Sequence, residues 1–205
     1  MTSRAVVYVC YGEPARREAA LSIASLRWRH DWSVMVIGEP VEGAANVELP
    51  RVDAGGRWSK LCALDVAPSD MVLFVDADTR IRSDLSAGFD ILEAGWDMAI
   101  CPSTMQGDDL LWHVDATERA ATLDELGYEP LQLQGGLWFV KRNRRTERLF
   151  SAWKCEWMRW KGEDQAAFLR ALAVAPVKLF LLGYPFNSAG GSIVEHRHGF
   201  IRRQQ

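Results

Sequence analysis

An α/β domain with a mostly parallel central sheet and helices on both faces is the fold class this sequence predicts. Short apolar runs of strand length alternate with longer stretches of helical periodicity, as crossovers between parallel strands require. Met71 to Val75 is apolar throughout rather than alternating, the pattern of a strand covered on both faces. At 205 residues and 48% hydrophobic content the chain can bury a full core, so we expect one domain over residues 1–205.

Taken in order, Ala5 to Cys10 is apolar and β-branched, a first strand. Pro14 opens a helix in which Ala20, Ile23, Ala24 and Leu26 recur at helical spacing, since proline suits a first turn that has no use for its missing N–H. Ser33 to Ile37 makes a second strand, ended by the turn signal Gly38-Glu39-Pro40. Gly55-Gly56 precedes a short helix over Trp58 to Val66, and Pro68 leads on to the apolar strand. Asp84 to Ala94 reads as a helix and Asp97 to Cys101 as a strand. Pro102 to Pro130 is more polar and irregular, with one helix around Thr117 to Leu126. Gln134 to Val140 is strand-like, Arg144 to Trp160 a long helix, Asp164 to Leu172 a shorter one, and Val177 to Leu182 a last strand. Trp153, Trp157 and Trp160 share one face of the long helix with Phe150, and we assign that stripe to the core, with an amphipathic binding surface as its other use.

Composition excludes several classes. The 24 basic and 27 acidic residues give a net charge of −3, unlike the basic footprint of a dedicated nucleic-acid binder. Basic residues crowd Lys141 to Arg148, Lys154 to Lys161 and His196 to Arg203, runs that are solvated faces by default. Cys10, Cys62, Cys101 and Cys155 lie far apart without a C-x-x-C pair, which argues against a zinc site or disulfide framework and for a reduced, cytoplasmic setting. No charged leader precedes the first strand, and no apolar stretch approaches the roughly 20 residues of a membrane span, so neither export nor a transmembrane segment is expected. The first strand is not followed by G-x-G-x-x-G, and no G-x-x-x-x-G-K-[ST] occurs. Any phosphate must then be held by a metal and by cationic side chains.

The apolar strand runs into Asp76-Ala77-Asp78. Ligands of open α/β sheets gather at the carboxyl ends of strands. Side chains alternate along extended backbone, so Asp76 and Asp78 point the same way while Ala77 points opposite. Two close carboxylates repel unless a cation lies between them, and a hard divalent ion, Mg²⁺ or Mn²⁺, accepts such oxygens while leaving positions for phosphate. The alternative is a solvated turn in which one Asp caps the next segment.

Ser59-Lys60-Leu61 followed by Asp76-Ala77-Asp78 and Arg82-Ser83-Asp84-Leu85 resembles the donor-binding region of GT-A glycosyltransferases, in particular the retaining enzymes of glycosyltransferase family eight. Four more segments fall in that family's order: Gln134-Gly135-Gly136-Leu137-Trp138-Phe139-Val140, Asp164-Gln165, Pro185-Phe186-Asn187, and His196-Arg197-His198-Gly199. Together they span nearly the whole chain. The resemblance implies a GT-A fold with a nucleotide-binding half, 1–100, and an acceptor half with a C-terminal metal loop, 101–205. It implies transfer of a sugar, with retention, from a nucleotide-diphosphate donor to an unidentified acceptor: saccharide, protein, lipid head group or modified nucleic acid.

On the same resemblance, Asp76, Asp78 and His196 ligate the metal, with His198 an alternative. A histidine ligand favours Mn²⁺ over Mg²⁺. Lys60 and Arg202 neutralise the diphosphate, and Gly135 and Gly136 let backbone approach the sugar. Gln165 presents its amide oxygen to the anomeric carbon, Asp164 orients sugar hydroxyls, and Tyr11 stacks on the base. The chain departs from the family in Val9-Cys10-Tyr11-Gly12-Glu13, which lacks the usual Asp residues that read uridine, and in Arg202-Arg203-Gln204, which replaces K-P-W. It is also shorter than typical members, so acceptor-side elements are minimal or come from another subunit of a homo-oligomer. Two further readings remain: a nucleotidyltransferase of related fold, and a catalytically silent nucleotide-sugar binding subunit.

Overall fold

The computed structural model describes residues 2–53 and 55–197. The elements run β1 (Arg4–Cys10), α1 (Glu13–Arg27), β2 (Ser33–Gly38), β3 (Ala45–Val47), α2 (Arg57–Leu61), α3 (Ala63–Val66), β4 (Met71–Val75), β5 (Thr79–Ile81), α4 (Ser86–Glu93), β6 (Met98–Pro102), α5 (Ala116–Leu126), β7 (Leu133–Lys141), α6 (Arg144–Trp160), α7 (Asp164–Val174), β8 (Leu179–Leu181) and β9 (Val194–His196). Seven strands form one sheet in the order β3-β2-β1-β4-β7-β6-β8. All run parallel except β7, which is antiparallel to both β4 and β6. The expected α/β class with a mostly parallel sheet is what forms. Its one reversed strand was not legible, because strand direction depends on the path of the preceding loop rather than on the strand's own residues.

Alternation along the strands divides the core. Val6, Tyr8, Leu73, Val75, Leu137 and Phe139 face α1 and α4, while Ala5, Val7, Val72, Phe74, Trp138 and Val140 face α2, α3, α6 and α7. Helices therefore cover both faces. The tryptophan stripe belongs to the second layer: Phe150, Trp153 and Trp157 are buried, and Trp160 is half-buried at its end. Each fully buried aromatic contributes about 1.5–3 kcal/mol, so this face alone commits α6 to the sheet. α6 spans the predicted residues, starting at the Asn143–Thr146 capping box and ending at Lys161 in the left-handed region, φ 54°.

Three differences concern the site. The expected helix over Trp58 to Val66 is two short helices broken at Cys62. β4 ends at Val75, so Asp76-Ala77-Asp78 lies in a turn, not on extended backbone. That turn leads into β5, which pairs antiparallel with β9 as a separate two-stranded ribbon. β5 and β9 are three residues each, too short for a periodic signal, and only their mutual hydrogen bonding makes them strands.

Candidate metal and nucleotide site

β4 is the central strand of seven, and its carboxyl end sits where the strand direction changes from β4 to β7. The β4–β7 ladder carries past Val75 and Leu137, with Asp76 N–H donating to Gly136 O at 2.8 Å. The ribbon then supplies the third group. Thr79 pairs with His196, and Arg197 N–H donates to Asp78 O at 2.9 Å, so the chain's late segment is laced directly onto the Asp-Ala-Asp turn.

Asp76, Asp78 and His196 converge, with one ligand atom of each within 4.8 Å of the others. His196 Nε2 lies 3.1 Å from Asp78 Oδ1 and 3.7 Å from Asp76 Oδ2. On the other side of the ring, Nδ1–H donates to Asn187 Oδ1 at 2.6 Å. In a neutral ring that bond leaves Nε2 with a lone pair aimed at two carboxylates, and three lone-pair donors around one point suit a cation. Asn187 was singled out in the sequence only as part of a motif. Its task, fixing the ring, becomes visible through the hydrogen bond.

Lys60 Nζ sits 3.0 Å from Asp164 Oδ2 and 3.5 Å from Asp76 Oδ1. Burial would favour neutral Lys60, but Asp164 and Asp76 outweigh it and hold the ammonium well above its ordinary range. Asp164 is likewise buried, which would raise its carboxyl. Lys60 and Arg57 reverse that and hold it below the usual range. Asp76 goes the other way: burial raises it, against the pull of Lys60 and His196 and with a push from Asp78. Asp76 and Asp164 thus share the Lys60 ammonium, while Asp76 and Asp78 both face His196 Nε2, a set of oxygen and nitrogen donors of the kind a divalent cation takes. Gln134 Oε1 and Asn187 Nδ2 are buried without a hydrogen-bond partner, polar atoms of the kind a bound ligand satisfies. The residues fit a hard divalent ion or Mn²⁺.

The two glycines serve these side chains. A Cβ on Gly136 would stand 2.3 Å from His196 Cε1 and 2.9 Å from Asp76 Oδ2, and one on Gly135 would stand 2.6 Å from Asp164 Oδ2. Their missing side chains make room for the site's own residues.

Asp164 opens α7, held from below by the tryptophan stripe: Trp153 Nε1–H donates to Asp164 O at 2.9 Å and Trp157 Nε1–H to Gly162 O at 3.0 Å. Arg57 pairs with Glu163 beside it. Gln165 is half-buried, and its Oε1 accepts from Gln132 Nε2 at 2.6 Å. Gln132, between Leu131 and Leu133 just ahead of the Gln134–Val140 segment, had no motif to mark it. Tyr11 follows β1 at the same sheet edge. Its ring lies between Gly38 and Gly56, its hydroxyl is 2.8 Å from Ser59 Oγ, and Arg51 stands 4.8 Å above it. Arg202 and the alternative ligand His198 lie outside the described residues. The free thiols Cys10, Cys62, Cys101 and Cys155 take no part in this cluster. Among the described residues no helix is long and apolar enough to cross a membrane.

No protein-family model matches the sequence, and no curated protein sequence matches it significantly. Solved structures do. The chain is similar to the galactosyltransferase LgtC in complex with donor and acceptor sugar analogues, with TM-score 0.63 at 12% identity over 97% of this chain and 81% of that one. Mouse xyloside xylosyltransferase 1 gives TM-score 0.61 at 11% identity over 96% of this chain and 97% of that one. The bifunctional glycosyltransferase WbbM gives TM-score 0.63 at 12% identity, covering 91% of this chain, which spans only 40% of WbbM. At such identities what is shared is the fold, and that fold is the GT-A fold of glycosyltransferases.

Proposed function

We propose that this chain is a metal-dependent glycosyltransferase that moves a sugar from a nucleotide-diphosphate donor, a UDP-sugar in the first instance, to an acceptor, with retention of anomeric configuration. The observation that carries this reading is the meeting of Asp76, Asp78 and His196 beside Lys60 at the carboxyl end of β4. The neighbours' names support the reaction class, and LgtC holds donor and acceptor sugar analogues.

Mn²⁺ or Mg²⁺, when bound by Asp76, Asp78 and His196, supplies Lewis-acid stabilisation of the leaving diphosphate. Lys60, kept protonated by Asp164 and Asp76, adds a fixed positive charge to the same end. Arg202 contributes a further charge from the C-terminal segment. Tyr11 offers its ring to the base, and the Gly135-Gly136 backbone borders the sugar. Asp164 accepts hydrogen bonds from sugar hydroxyls, and the Gln165 amide stands against the anomeric carbon, where oxocarbenium-like charge develops. The acceptor's proton leaves on the departing phosphate oxygen, so no separate general base is required. In this reading residues 1–100 hold the nucleotide and 101–205 the acceptor side.

Thermal shift with a panel of sugar nucleotides, with and without Mn²⁺, tests the site. A ligand at about 100 times its Kd adds roughly 2.7 kcal/mol of stability, which raises Tm measurably. Slow release of nucleoside diphosphate from the stabilising donor identifies an enzyme. Binding with no turnover identifies a silent sugar-nucleotide subunit, and no shift with any donor sinks the proposal.

A further inference from the structure

Gln132 is 1% exposed and fully tied down. Its backbone N–H donates to Gln106 Oε1 at 3.0 Å. Its carbonyl accepts from Ser103 N–H at 2.8 Å and from Gln106 Nε2 at 2.9 Å. Its side chain accepts through Oε1 from Leu111 N–H at 2.7 Å and donates through Nε2 to Gln165 Oε1 at 2.6 Å. The direction of that last bond is forced. A backbone N–H can only donate, so the end of Gln132 facing Leu111 is its oxygen and the end facing Gln165 is its NH2. Gln165 must then turn its own oxygen toward Gln132.

Securing Leu111 needs only an acceptor. Leu111 stands at φ 55°, a strained region for leucine, and the bond from its N–H helps to hold it there. The donor end has no such duty, because Gln165 is half-buried and water would satisfy its oxygen. We propose that Gln132 is a positioning residue for glycosyl transfer: it fixes the amide of Gln165 in one orientation and couples that orientation to the loop running from Ser103 to Leu111. This rests on the function proposed above. With Oε1 turned toward Gln132, the two N–H groups of Gln165 and the second lone pair of Oε1 are what remain for a sugar. The second lone pair is then left for the anomeric carbon, where positive charge develops, and the N–H groups for sugar oxygens. Movement of the Ser103–Leu111 loop on acceptor binding would reach the Gln165 side-chain amide through this side chain, beside the apolar packing of Leu110 and Leu111 on Ala166 and Leu169 of α7.

Gln132→Glu separates the two ends. At neutral pH the introduced carboxylate keeps the acceptor for Leu111 but sets lone pairs against Gln165 Oε1, so the Gln165 amide turns over. In the Mn²⁺-dependent turnover assay kcat is expected to fall about 10- to 100-fold, with donor KM and Tm little changed. The ratio of variant to wild-type kcat is expected to rise as pH is lowered, because a protonated carboxyl again donates to Gln165 while its other oxygen accepts from Leu111. A merely structural role leaves that ratio flat. Gln132→Met, which fills the space and makes neither bond, is the second variant, with the loss expected at every pH. A kcat within about two-fold of wild type in either variant overturns the assignment. Should wild-type protein turn over no sugar nucleotide, the proposed function falls by itself, and the Gln165 side-chain amide resonances decide the positioning. Resonances that move in Gln132→Glu at neutral pH and return on acidification support it, and resonances that stay in place overturn it.

Discussion

Two carboxylate sites, one a single Asp and the other a cluster, sit at opposite ends of the same sheet. At the amino end of β6, Asp97 is 2% exposed and receives four hydrogen bonds: from Arg145 Nε at 2.7 Å and Nη2 at 2.6 Å, Asn143 Nδ2 at 2.9 Å and Lys178 N–H at 2.9 Å. Burial pushes its carboxyl up, but these donors outweigh it and the group ends below its ordinary range. At the carboxyl end of β4, burial raises Asp76 and Lys60 does not fully offset it, because the one ammonium is shared with Asp164. A fully compensated carboxylate is a structural clamp, here joining β6, α6 and the start of β8. Asp76, whose carboxyl is held above its ordinary range, is the less compensated of the two and the one a cation would relieve. Charge balance, rather than the presence of acidic residues, separates the two.

Asp78→Ala is the strongest way to break this contrast. Turnover is expected to fall by about 1000-fold, and the Mn²⁺-dependent thermal shift to vanish, while Tm in chelator changes by less than about 3 °C. A mutant that keeps the full Mn²⁺ shift removes Asp78 from the cation site. Gly136→Ala comes next. Its Cβ would collide with His196 Cε1 at 2.3 Å, so Mn²⁺ affinity measured by calorimetry is expected to weaken about 10- to 100-fold; unchanged affinity means that the ring yields without cost.

Asp97→Asn tests the other end, with the opposite pattern. It should destabilise the protein by about 1–3 kcal/mol at pH 7 while leaving the Mn²⁺ shift and kcat alone. The folded-state pKa of Asp97 is depressed. Its stabilisation is therefore present above the unfolded pKa of about 4 and lost as pH falls through the folded value. Urea midpoints of wild type and variant should converge in acid, and a gap that persists there assigns the effect to packing rather than charge. The smallest effect is expected for Trp157→Phe, which loses the bond to Gly162 O. About 1 kcal/mol of stability and a slight loss of turnover, through the register of Asp164, would follow. A loss of donor binding with intact Tm would instead make the stripe an interface.

Much of this molecule was legible because it depends on neighbours in sequence. The apolar run Met71–Val75, the seventeen-residue extent of α6 and the burial of Trp153 and Trp157 follow from periodicity and capping, which act over one or two turns. Asp76 and Asp78 were marked by where the apolar run stops, and Lys60, His196, Asp164 and Gln165 by resemblance. What no local pattern encodes is the set of meetings between distant segments. Asp78 and His196 are 118 residues apart and Lys60 and Asp164 are 104 apart, joined by a ribbon and a helix start whose partners lie elsewhere in the chain. The reversal of β7, the crowding of site side chains around Gly135 and Gly136, and the Gln132–Gln165 bond belong to the same class. Side-chain chemistry and periodicity travel with the residue, whereas strand direction, clearance and charge balance exist only once long-range contacts have closed, and those the tertiary structure alone decided.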